Sequence, residues 1–379
     1  MNFELTAQQK QVVDTVKKLT EDYLLPGVLE RDENSEYPIE AYRELGRTGL
    51  IGLPYAEEYG GSGAGYMEYV LAIEEISKVD ASMGISYSVC TSLYGGCINN
   101  FGSEMQKKKY LPLVFSGKSL GSFGLTEPNA GSDASGVITK AKRENDYYIL
   151  NGSKCFTTNG PLADYCIVFA STNPEAKTKG LSAFIVEMNT PGIRIGRIEN
   201  KMGIRSAKVS EVFFENVKIP KENLIGEEGK GFKIAMNALD GGRMGVAAQG
   251  IGIAEGAFEI ARKYLMEREQ FGKPLYKNQY LGFKMAELKI KIEQAKLLLY
   301  KAAYEKDNGR SYTVPAAMAK YACTNTAMEV TTEAVQMLGG NGYMKGYNVE
   351  RMMRDAKITQ IYEGTNEIQQ LVVSGSIFK

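Results

Sequence analysis

A carboxylate near the C-terminal end of the chain has the surroundings that most clearly point to chemistry. Glu363 follows the apolar pair Ile361 and Tyr362 and precedes Gly364 and Thr365. Because burial among apolar groups disfavours a charge, the pKa of this carboxyl should rise toward neutrality. A carboxylate with such a pKa is suited to removing a proton from a weakly acidic C–H bond, and the adjacent glycine lets a ligand approach the backbone closely. The alternative is structural, because Thr365 is a typical N-cap of a helix.

The residue types present limit which other chemistry is open to the chain. The sequence contains no histidine, which excludes Ser-His and Cys-His nucleophilic pairs and histidine-ligated metals. We therefore predict no metal site, and carboxylates, lysines, tyrosines and cysteines remain as the acid–base groups. The five cysteines are odd in number and form no Cys-x-x-Cys pair, so we expect them to be reduced and mostly buried.

Two polar loops have the composition of a site for a flat ligand. The first, residues 123–133, carries the hydroxyls of Thr126 and Ser132 and a glycine that permits close approach, so it could wrap a planar ring or a pyrophosphate. The second, residues 151–160, places Phe156 beside two threonines, which suits stacking on a ring with hydrogen bonds at its edge. The alternatives are an ordinary turn for the first loop and a hairpin with a core phenylalanine for the second.

Three further segments in the C-terminal half combine glycines with charged or polar residues. Gly241 and Gly242 are consecutive in a helical stretch, where each costs about 1 kcal/mol relative to alanine. Either a close approach by substrate or a tight helix crossing would explain them, and Arg243 could contact an anion or fix the glycine turn. Arg268 is a natural pyrophosphate ligand. The glycine run at residues 339–342 could accommodate a phosphate or ribose, or could simply cap a helix.

The periodicity of apolar residues divides the chain into three segments that must position these groups. Residues 1–119 have helical spacing and begin at a capping box formed by Thr6 and Gln9. Residues 120–228 contain short runs of β-formers separated by polar turns, which predicts a compact barrel or sandwich. Residues 229–379 return to long helical stretches with short links. We therefore predict an α+β fold with an N-terminal helical domain, a central β-barrel domain and a C-terminal four-helix bundle, whose long helices cover about residues 232–268, 276–308, 314–338 and 368–378.

The charge balance argues against large anionic partners. Lys and Arg total 45 and Asp and Glu total 45, so the formal net charge is zero. This disfavours a nucleic acid or a membrane surface as a partner. No apolar run reaches the length of a membrane span, and the N-terminus lacks the basic and apolar regions of a leader peptide. We expect a cytoplasmic protein.

Taken together and in this order, the motifs resemble those of the acyl-CoA dehydrogenase family. The resemblance rests on LTEPNAGSD, TTNG, DGGR, REQFGKP, LGGNGY and MRDAKI-x-QIYEGT, and it extends over residues 1–379. It implies the three-domain fold, non-covalently bound FAD, an electron-transferring flavoprotein as partner and assembly as a homotetramer. The implied reaction is α,β-dehydrogenation of an acyl-CoA thioester or reduction of an enoyl-CoA. In it Glu363 transfers the α-proton, and flavin N5 exchanges the β-hydride.

The resemblance also implies which residues form the site. The positions that match substrate contacts are Ser132, Asp240, Arg243, Gly364, Tyr362 and Gly95. The positions that match contacts to FAD are Phe123, Leu125, Thr126, Ser132, Phe156, Thr158, Arg268, Phe271, Gln279, Gln336, Gly339, Gly340, Thr365 and Glu367. Among these, Arg268, Phe271, Gln279, Gln336 and Gly340 match contacts that come from the neighbouring subunit.

Which acyl group the protein accepts depends on residues 92–97, a segment that lines the acyl pocket in relatives. Gly95 and Gly96 stand there, where relatives often carry larger residues. They either widen the pocket enough for an aryl-propenoyl group such as caffeyl, or let two helices pack closely and leave a short-chain pocket. The overall resemblance favours a short-chain substrate, butyryl-CoA or crotonyl-CoA. An acyl-CoA oxidase and a non-enzymatic binding protein of the same fold are further alternatives.

Overall fold

The computed structural model describes residues 4–378 and has the predicted order of a helical, a β and a second helical domain. The first helix begins at the predicted capping box. The backbone N–H of Gln9 donates to Thr6 Oγ1 at 3.2 Å, and the backbone N–H of Thr6 donates to Gln9 Oε1 at 3.0 Å. The helices of the N-terminal domain are α1 (Ala7–Leu19), α2 (Val28–Asn34), α3 (Ile39–Arg47), α4 (Tyr66–Ser77), α5 (Ala81–Ser88), α6 (Gly96–Phe101) and α7 (Glu104–Phe115).

The segment between α5 and α6 departs from regular helix. Residues Val89–Gly95 form a π-helix, so that residues 81–101 make one continuous helical run. Residues 81–98 are all buried, as their apolar composition predicts. A π-helical turn inside a helix is uncommon and often lies at a functional site.

The middle domain is one sheet of eight strands. Its strands are β1 (Gly121–Gly124), β2 (Lys140–Glu144), β3 (Tyr147–Thr158), β4 (Tyr165–Ser171), β5 (Leu181–Glu187), β6 (Ile193–Ile198), β7 (Val209–Pro220) and β8 (Leu224–Ile225). They pair in the order β6-β7-β3-β2-β4-β5-β8, and β1 pairs in parallel with β4.

Both faces of this sheet are covered, and β4 shows how. Ile167 and Phe169 face the large core shared with the helices, whereas Cys166 and Val168 face a smaller core within the β domain. The alternation follows from the two-residue period of a strand. The β domain therefore has its own core and a second face that fixes it against the helical domains.

The C-terminal domain contains α8 (Gly231–Glu267), the short strands β9 (Glu269–Gln270) and β10 (Lys273–Pro274), α9 (Gln279–Asp307), α10 (Thr313–Leu338), α11 (Gly340–Tyr343), α12 (Val349–Thr359) and α13 (Asn366–Ile377). The four long helices predicted from the sequence are α8, α9, α10 and α13. The periodicity did not single out α12, which leads into the turn that carries Glu363. None of the helices in residues 4–378 is long and apolar enough to cross a membrane.

The domain boundaries that we propose, after residues 119 and 228, lie in the links between α7 and β1 and between β8 and α8. Helix α10 occupies the middle of the C-terminal domain, where it packs against α8, α9, α12 and α13. Helix α8 also packs against α4 and α5 of the N-terminal domain. The two helical domains therefore meet along α8, and the turn between α12 and α13 lies against α10.

Candidate active site

Glu363 lies in the tight turn between α12 and α13. Its backbone is left-handed, with φ of +52°, and Gly364 follows with φ of +89°. The turn is closed by the backbone N–H of Asn366, which donates to Gln360 O at 3.0 Å. Thr365 is the N-cap of α13, so the structural alternative for this residue is confirmed. A left-handed residue that carries a side chain costs about 1–2 kcal/mol, so the surrounding contacts must hold Glu363 in place.

The carboxylate of Glu363 is buried and unpartnered. Neither of its oxygens has a hydrogen-bond partner among the described residues. Burial raises the pKa of this carboxyl to about 7, although Lys320 and Arg243 act in the opposite direction. The elevated pKa agrees with the expectation from the apolar neighbours. An unpartnered carboxylate with a pKa near neutrality is able to accept a proton.

The second glycine of the Gly241-Gly242 pair makes room for this carboxylate. A Cβ atom on Gly242 would lie 1.8 Å from Glu363 Oε2 and 2.9 Å from Leu93 Cδ2. A Cβ atom on Gly241 would have its nearest neighbour, Lys306 Nζ, at 3.4 Å, an ordinary contact. The close neighbour of Gly242 is therefore the Glu363 side chain, which neither explanation from the sequence, a close approach by substrate or a tight helix crossing, included.

Asp240 and Arg243 form an ion pair on the same part of α8. Arg243 Nη1 lies 2.5 Å from Asp240 Oδ1, and Thr313 Oγ1 donates to Asp240 Oδ2 at 2.7 Å. Arg243 is buried, and its Nε has no hydrogen-bond partner in the described part of the chain. The guanidinium therefore adds positive charge near Glu363 and keeps one donor available.

Tyr362 is fixed by a residue that the sequence analysis did not identify. Its hydroxyl donates to Gln249 Oε1, and Gln249 Nε2 donates to Ala81 O at 2.8 Å. Gln249 is buried on α8. Tyr362 thereby ties the turn that carries the carboxylate to α8 and α5. A glutamine in an apolar helical stretch is the only sequence signal for this role.

Gly95, a predicted substrate contact, lies next to an aromatic side chain. A Cβ atom there would lie 3.0 Å from the Phe115 ring and 3.3 Å from Cys90 O. Phe115 in turn stacks on Tyr55, with ring centroids 5.0 Å apart and planes 6° from parallel. The space beside Gly95 is therefore occupied by an aromatic stack, and this contact supports the helix-packing explanation of the glycine.

The two polar loops of the β domain are brought together. The backbone N–H of Cys155 donates to Thr126 O at 2.9 Å, which joins β3 to the loop after β1. Phe156 follows at φ of +54°, where the register between β3 and β7 is interrupted, and its side chain is 66% exposed. The alternative of a core phenylalanine is therefore wrong. An exposed aromatic ring on a bulge is suited to stacking on a planar ligand.

A buried ion pair that the sequence analysis missed supports these loops. Lys154 Nζ lies 2.6 Å from Glu127 Oε1 and donates to Leu125 O at 3.1 Å. The Glu127 carboxylate also accepts the backbone N–H groups of Ile138 at 2.7 Å and Thr139 at 3.1 Å. Burial lowers the pKa of Lys154 to about 8. The pair fixes the backbone of the LTEPNAGSD loop from the protein interior.

The other predicted cofactor positions are arranged as follows. Phe271 is fully exposed at φ of +53° between β9 and β10. A Cβ atom on Gly339 or Gly340 would meet nothing within 4 Å. Leu125 is buried, and Phe123, Thr126, Thr158 and Thr365 are half-buried. The exposed positions are Ser132, Arg268, Gln279, Gln336 and Glu367. The predicted cofactor positions from Arg268 to Gly340 therefore lie on open surface, where a ligand or a second subunit could contact them.

Family models match nearly the whole chain. The models for the N-terminal, middle and C-terminal domains of acyl-CoA dehydrogenase match residues 6–118, 122–217 and 229–378, respectively. The chain belongs to the acyl-CoA dehydrogenase family. It is therefore related to oxidoreductases that act on a CH–CH bond, and the family membership confirms the resemblance carried by the sequence motifs.

Three similar proteins illustrate the relationship. A short-chain specific acyl-CoA dehydrogenase of Clostridium acetobutylicum is 51% identical over 379 residues, with all of both chains covered. The solved butyryl-CoA dehydrogenase of Megasphaera elsdenii is 50% identical, with a TM-score of 0.98 and full coverage of both chains. A solved chain described as "Electron transferring flavoprotein of Acidaminococcus fermentans: Towards a mechanism of flavin-based electron bifurcation" is also 50% identical, with a TM-score of 0.99 and full coverage of both chains.

The residues of this family member fit the FAD that the family uses. The ring of Phe156 is exposed on a left-handed bulge beside Thr126 and Thr158, as a planar ring requires. The exposed Arg268 is suited to a pyrophosphate, and the open surface at Gly339 and Gly340 permits close approach of a ligand. Aromatic, hydroxyl and cationic groups are therefore all present for a flavin dinucleotide.

Proposed function

We propose that the protein catalyses the α,β-dehydrogenation of an acyl-CoA thioester, or the reverse reduction of an enoyl-CoA, with Glu363 as the acid–base group. One observation carries the proposal: a buried carboxylate without a hydrogen-bond partner lies in a recess made by Gly242. A purely structural carboxylate would be paired, because burying an unpaired charge is costly.

The turn also offers an electrophilic group for the thioester. In the described residues, no atom accepts a hydrogen bond from the backbone N–H of Glu363. A thioester carbonyl that accepts this N–H would become more polarised, which lowers the pKa of its α-C–H bond. Glu363 would then take the α-proton in dehydrogenation and return it in reduction. Bound FAD supplies the acceptor or donor for the β-hydride.

The cofactor would be held from two sides. Phe123, Leu125, Thr126, Ser132, Phe156 and Thr158 would contact it in one subunit, with Thr365 and Glu367 at the adenosine-pyrophosphate end. Arg268, Phe271, Gln279, Gln336, Gly339 and Gly340 would complete the site from the neighbouring subunit of a homotetramer. Phe271 is fully exposed, and Leu371 and Phe378 of the C-terminal region are exposed. A neighbouring subunit in contact with them would bury this apolar surface, which is favourable.

A short acyl chain is the preferred substrate. Two of the similar proteins are named short-chain specific or butyryl-CoA dehydrogenase. Phe115 takes the space beside Gly95, which removes the main argument for an aryl-propenoyl group. The similarity to the chain from Acidaminococcus supports an electron-transferring flavoprotein as partner. A cytoplasmic location is part of this proposal.

The decisive experiment is Glu363→Gln, which conserves shape and removes the base. We expect kcat with butyryl-CoA to fall by at least about a thousandfold, the upper part of the range for losing a general base. Flavin absorbance and acyl-CoA binding should remain, which shows that the site is intact. Retention of more than a few per cent of wild-type activity would mean that another residue is the base. A cinnamoyl-type CoA tested beside crotonyl-CoA should be reduced poorly, and faster aryl turnover would contradict the short-chain assignment.

A further inference from the structure

Lys320 of α10 is a buried lysine without a carboxylate partner. Its side chain is fully buried, and Nζ donates to Gly364 O at 2.8 Å and to Asn366 Oδ1 at 3.1 Å. No carboxylate in residues 4–378 forms an ion pair with it. Placing an unpaired ammonium group in the interior is unfavourable, so packing alone would favour an apolar residue. Both of its bonds go to the turn that carries Glu363.

The carbonyl of Gly364 is held from two helices. Besides Lys320 from α10, Gln369 Nε2 from α13 donates to the same oxygen at 2.8 Å. Asn366 is tied to α10 as well, because its Nδ2 donates to Thr324 Oγ1 at 3.0 Å. Strained backbone persists only where its surroundings over-determine it. These contacts supply that constraint for two consecutive left-handed residues.

The charge of Lys320 also acts on the Glu363 carboxylate. It is the first of two cations, with Arg243 of α8, that lower the pKa of Glu363 against the effect of burial. Burial lowers the pKa of Lys320 itself to about 7, while Glu363 raises it. The other groups that interact with this pair are Glu367 of α13, Tyr69 of α4 and the adjacent Tyr362. Loss of Lys320 would therefore remove both a hydrogen-bond donor and a positive charge.

We infer that Lys320 is a positioning residue for the reaction, which holds the left-handed turn through the Gly364 carbonyl and presents positive charge to the Glu363 carboxylate. The inference rests on the proposed role of Glu363 and extends it. The hydrogen bonds fix where the carboxylate points. The charge favours its ionised form, which is the form that accepts the α-proton.

The test compares two variants that remove different parts of this role. Lys320→Met removes the donor and the charge. We expect kcat of the holoenzyme to fall about ten- to a hundredfold on the plateau of its pH profile, as for a lost hydrogen bond to a charged group, and to fall further at lower pH. The acid limb of its pH profile should move to higher pH, because losing a nearby cation raises a carboxyl pKa. Gln369→Met removes the other donor to the same carbonyl and keeps the charge, so kcat should fall while the acid limb stays in place.

A second readout isolates proton transfer. Enzyme with reduced cofactor cannot accept hydride, so exchange of the α-hydrogens of butyryl-CoA with D2O, followed by NMR, reports on the carboxylate alone. We expect slower exchange in both variants. Lys296→Met is the matched control, because Lys296 is another largely buried lysine of the bundle, but it pairs with Glu74 and Glu255. It should lower the melting temperature and leave the acid limb and the exchange rate of the folded enzyme unchanged.

The outcomes separate this inference from the proposed function. If Glu363→Gln is inactive while Lys320→Met keeps the wild-type acid limb and exchange rate, the positioning role is wrong and the base assignment stands. If Glu363→Gln remains active, the proposed function itself fails. If Lys320→Met does not fold, the variants Lys320→Arg and Gln369→Met test the positioning role instead. Arginine keeps the charge and should preserve the acid limb. A wild-type rate of α-hydrogen exchange in Gln369→Met would show that the hydrogen bonds to the Gly364 carbonyl do not position Glu363.

Discussion

Gly242→Ala is the substitution that most directly tests how the fold makes room for its carboxylate. The new methyl group would lie 1.8 Å from Glu363 Oε2 and 2.9 Å from Leu93 Cδ2. The carboxylate would have to move by about 1.6 Å to restore the 3.4 Å of an ordinary contact. It cannot keep its present position, because Gly242 lies on a buried part of α8 whose backbone is fixed by neighbouring helices.

The expected effect on catalysis is large, and the expected effect on stability is small. A misplacement of about 1 Å can cost about a hundredfold in rate, so we expect kcat to fall by about that factor. Alanine gains about 1 kcal/mol in helix propensity over glycine, whereas overpacking costs about 1–3 kcal/mol. The two terms partly cancel, so the variant should remain folded. A loss of activity would then report a change in the geometry of the site.

Gly241→Ala provides the control one residue away. The nearest neighbour of its methyl group would be Lys306 Nζ at 3.4 Å, followed by Tyr66 Oη at 3.8 Å and Ser92 Cβ at 3.9 Å, all of which are ordinary contacts. The substitution gains the same helix propensity. We expect near-wild-type kcat and an equal or higher melting temperature, measured with butyryl-CoA and by thermal unfolding of the holoenzyme. If Gly242→Ala keeps kcat within about threefold, too small a change for a misplaced base, or if both variants lose activity equally, the recess does not position Glu363.

Three further predictions concern stability and cofactor retention. Glu363→Gln should raise the free energy of unfolding more at pH 8 than at pH 5. The pKa of about 7 in the folded protein exceeds the ordinary glutamate value of 4.5. Ionisation of Glu363 therefore lowers the free energy of unfolding as pH rises from 4.5 to 7, by up to ~3 kcal/mol. Equal changes in the free energy of unfolding at both pH values, measured in urea melts, would contradict this. Phe156→Gly should leave the melting temperature of the apoprotein unchanged or higher, because the ring is exposed and φ is +54°, while FAD dissociates faster. Lys154→Met should destabilise by about 3–5 kcal/mol, since Glu127 stays buried without its cation; partial recovery in the double variant with Glu127→Gln is the check on this cause.

The parts of the fold that could be predicted from sequence are those set by neighbours along the chain. The capping box at Thr6 and the N-cap at Thr365 are local signals, and both are confirmed. The order of helical and β domains follows from the period of apolar residues and is also confirmed. The raised pKa of Glu363 followed from its apolar neighbours. Helix α12 was missed because it is short and highly charged, with buried residues on only one side.

The supporting contacts of the site could not be predicted, because they join distant parts of the chain. Gly242 meets Glu363 across the interface of α8 with the α12–α13 turn, and Lys320 reaches Gly364 from α10. In the sequence, Lys320 is one of many lysines in helical stretches, and nothing local shows that it is buried. Lys154 is equally ordinary in a run of strand residues. Partner choice in these cases depends on tertiary packing, which one sequence read alone does not reveal.

Backbone strain provides the link between the two halves of the proposed site. Glu363, Phe156 and Phe271 adopt φ of +52°, +54° and +53°, a region that bulky side chains avoid and that glycine or asparagine occupies more easily. A chain selected for stability alone would place one of those residues at such turns. Keeping a carboxylate and two aromatic rings there makes sense if the side chains themselves are needed. The surrounding constraints match this interpretation: Lys320 fixes the backbone next to Glu363, and a buried ion pair through Lys154 fixes the strand that presents Phe156. Lys177 and Ile204 are also left-handed, with φ of +49° and +44°, so strain alone does not define the site. It adds a structural argument for the proposed base and for the proposed cofactor contacts at Phe156 and Phe271.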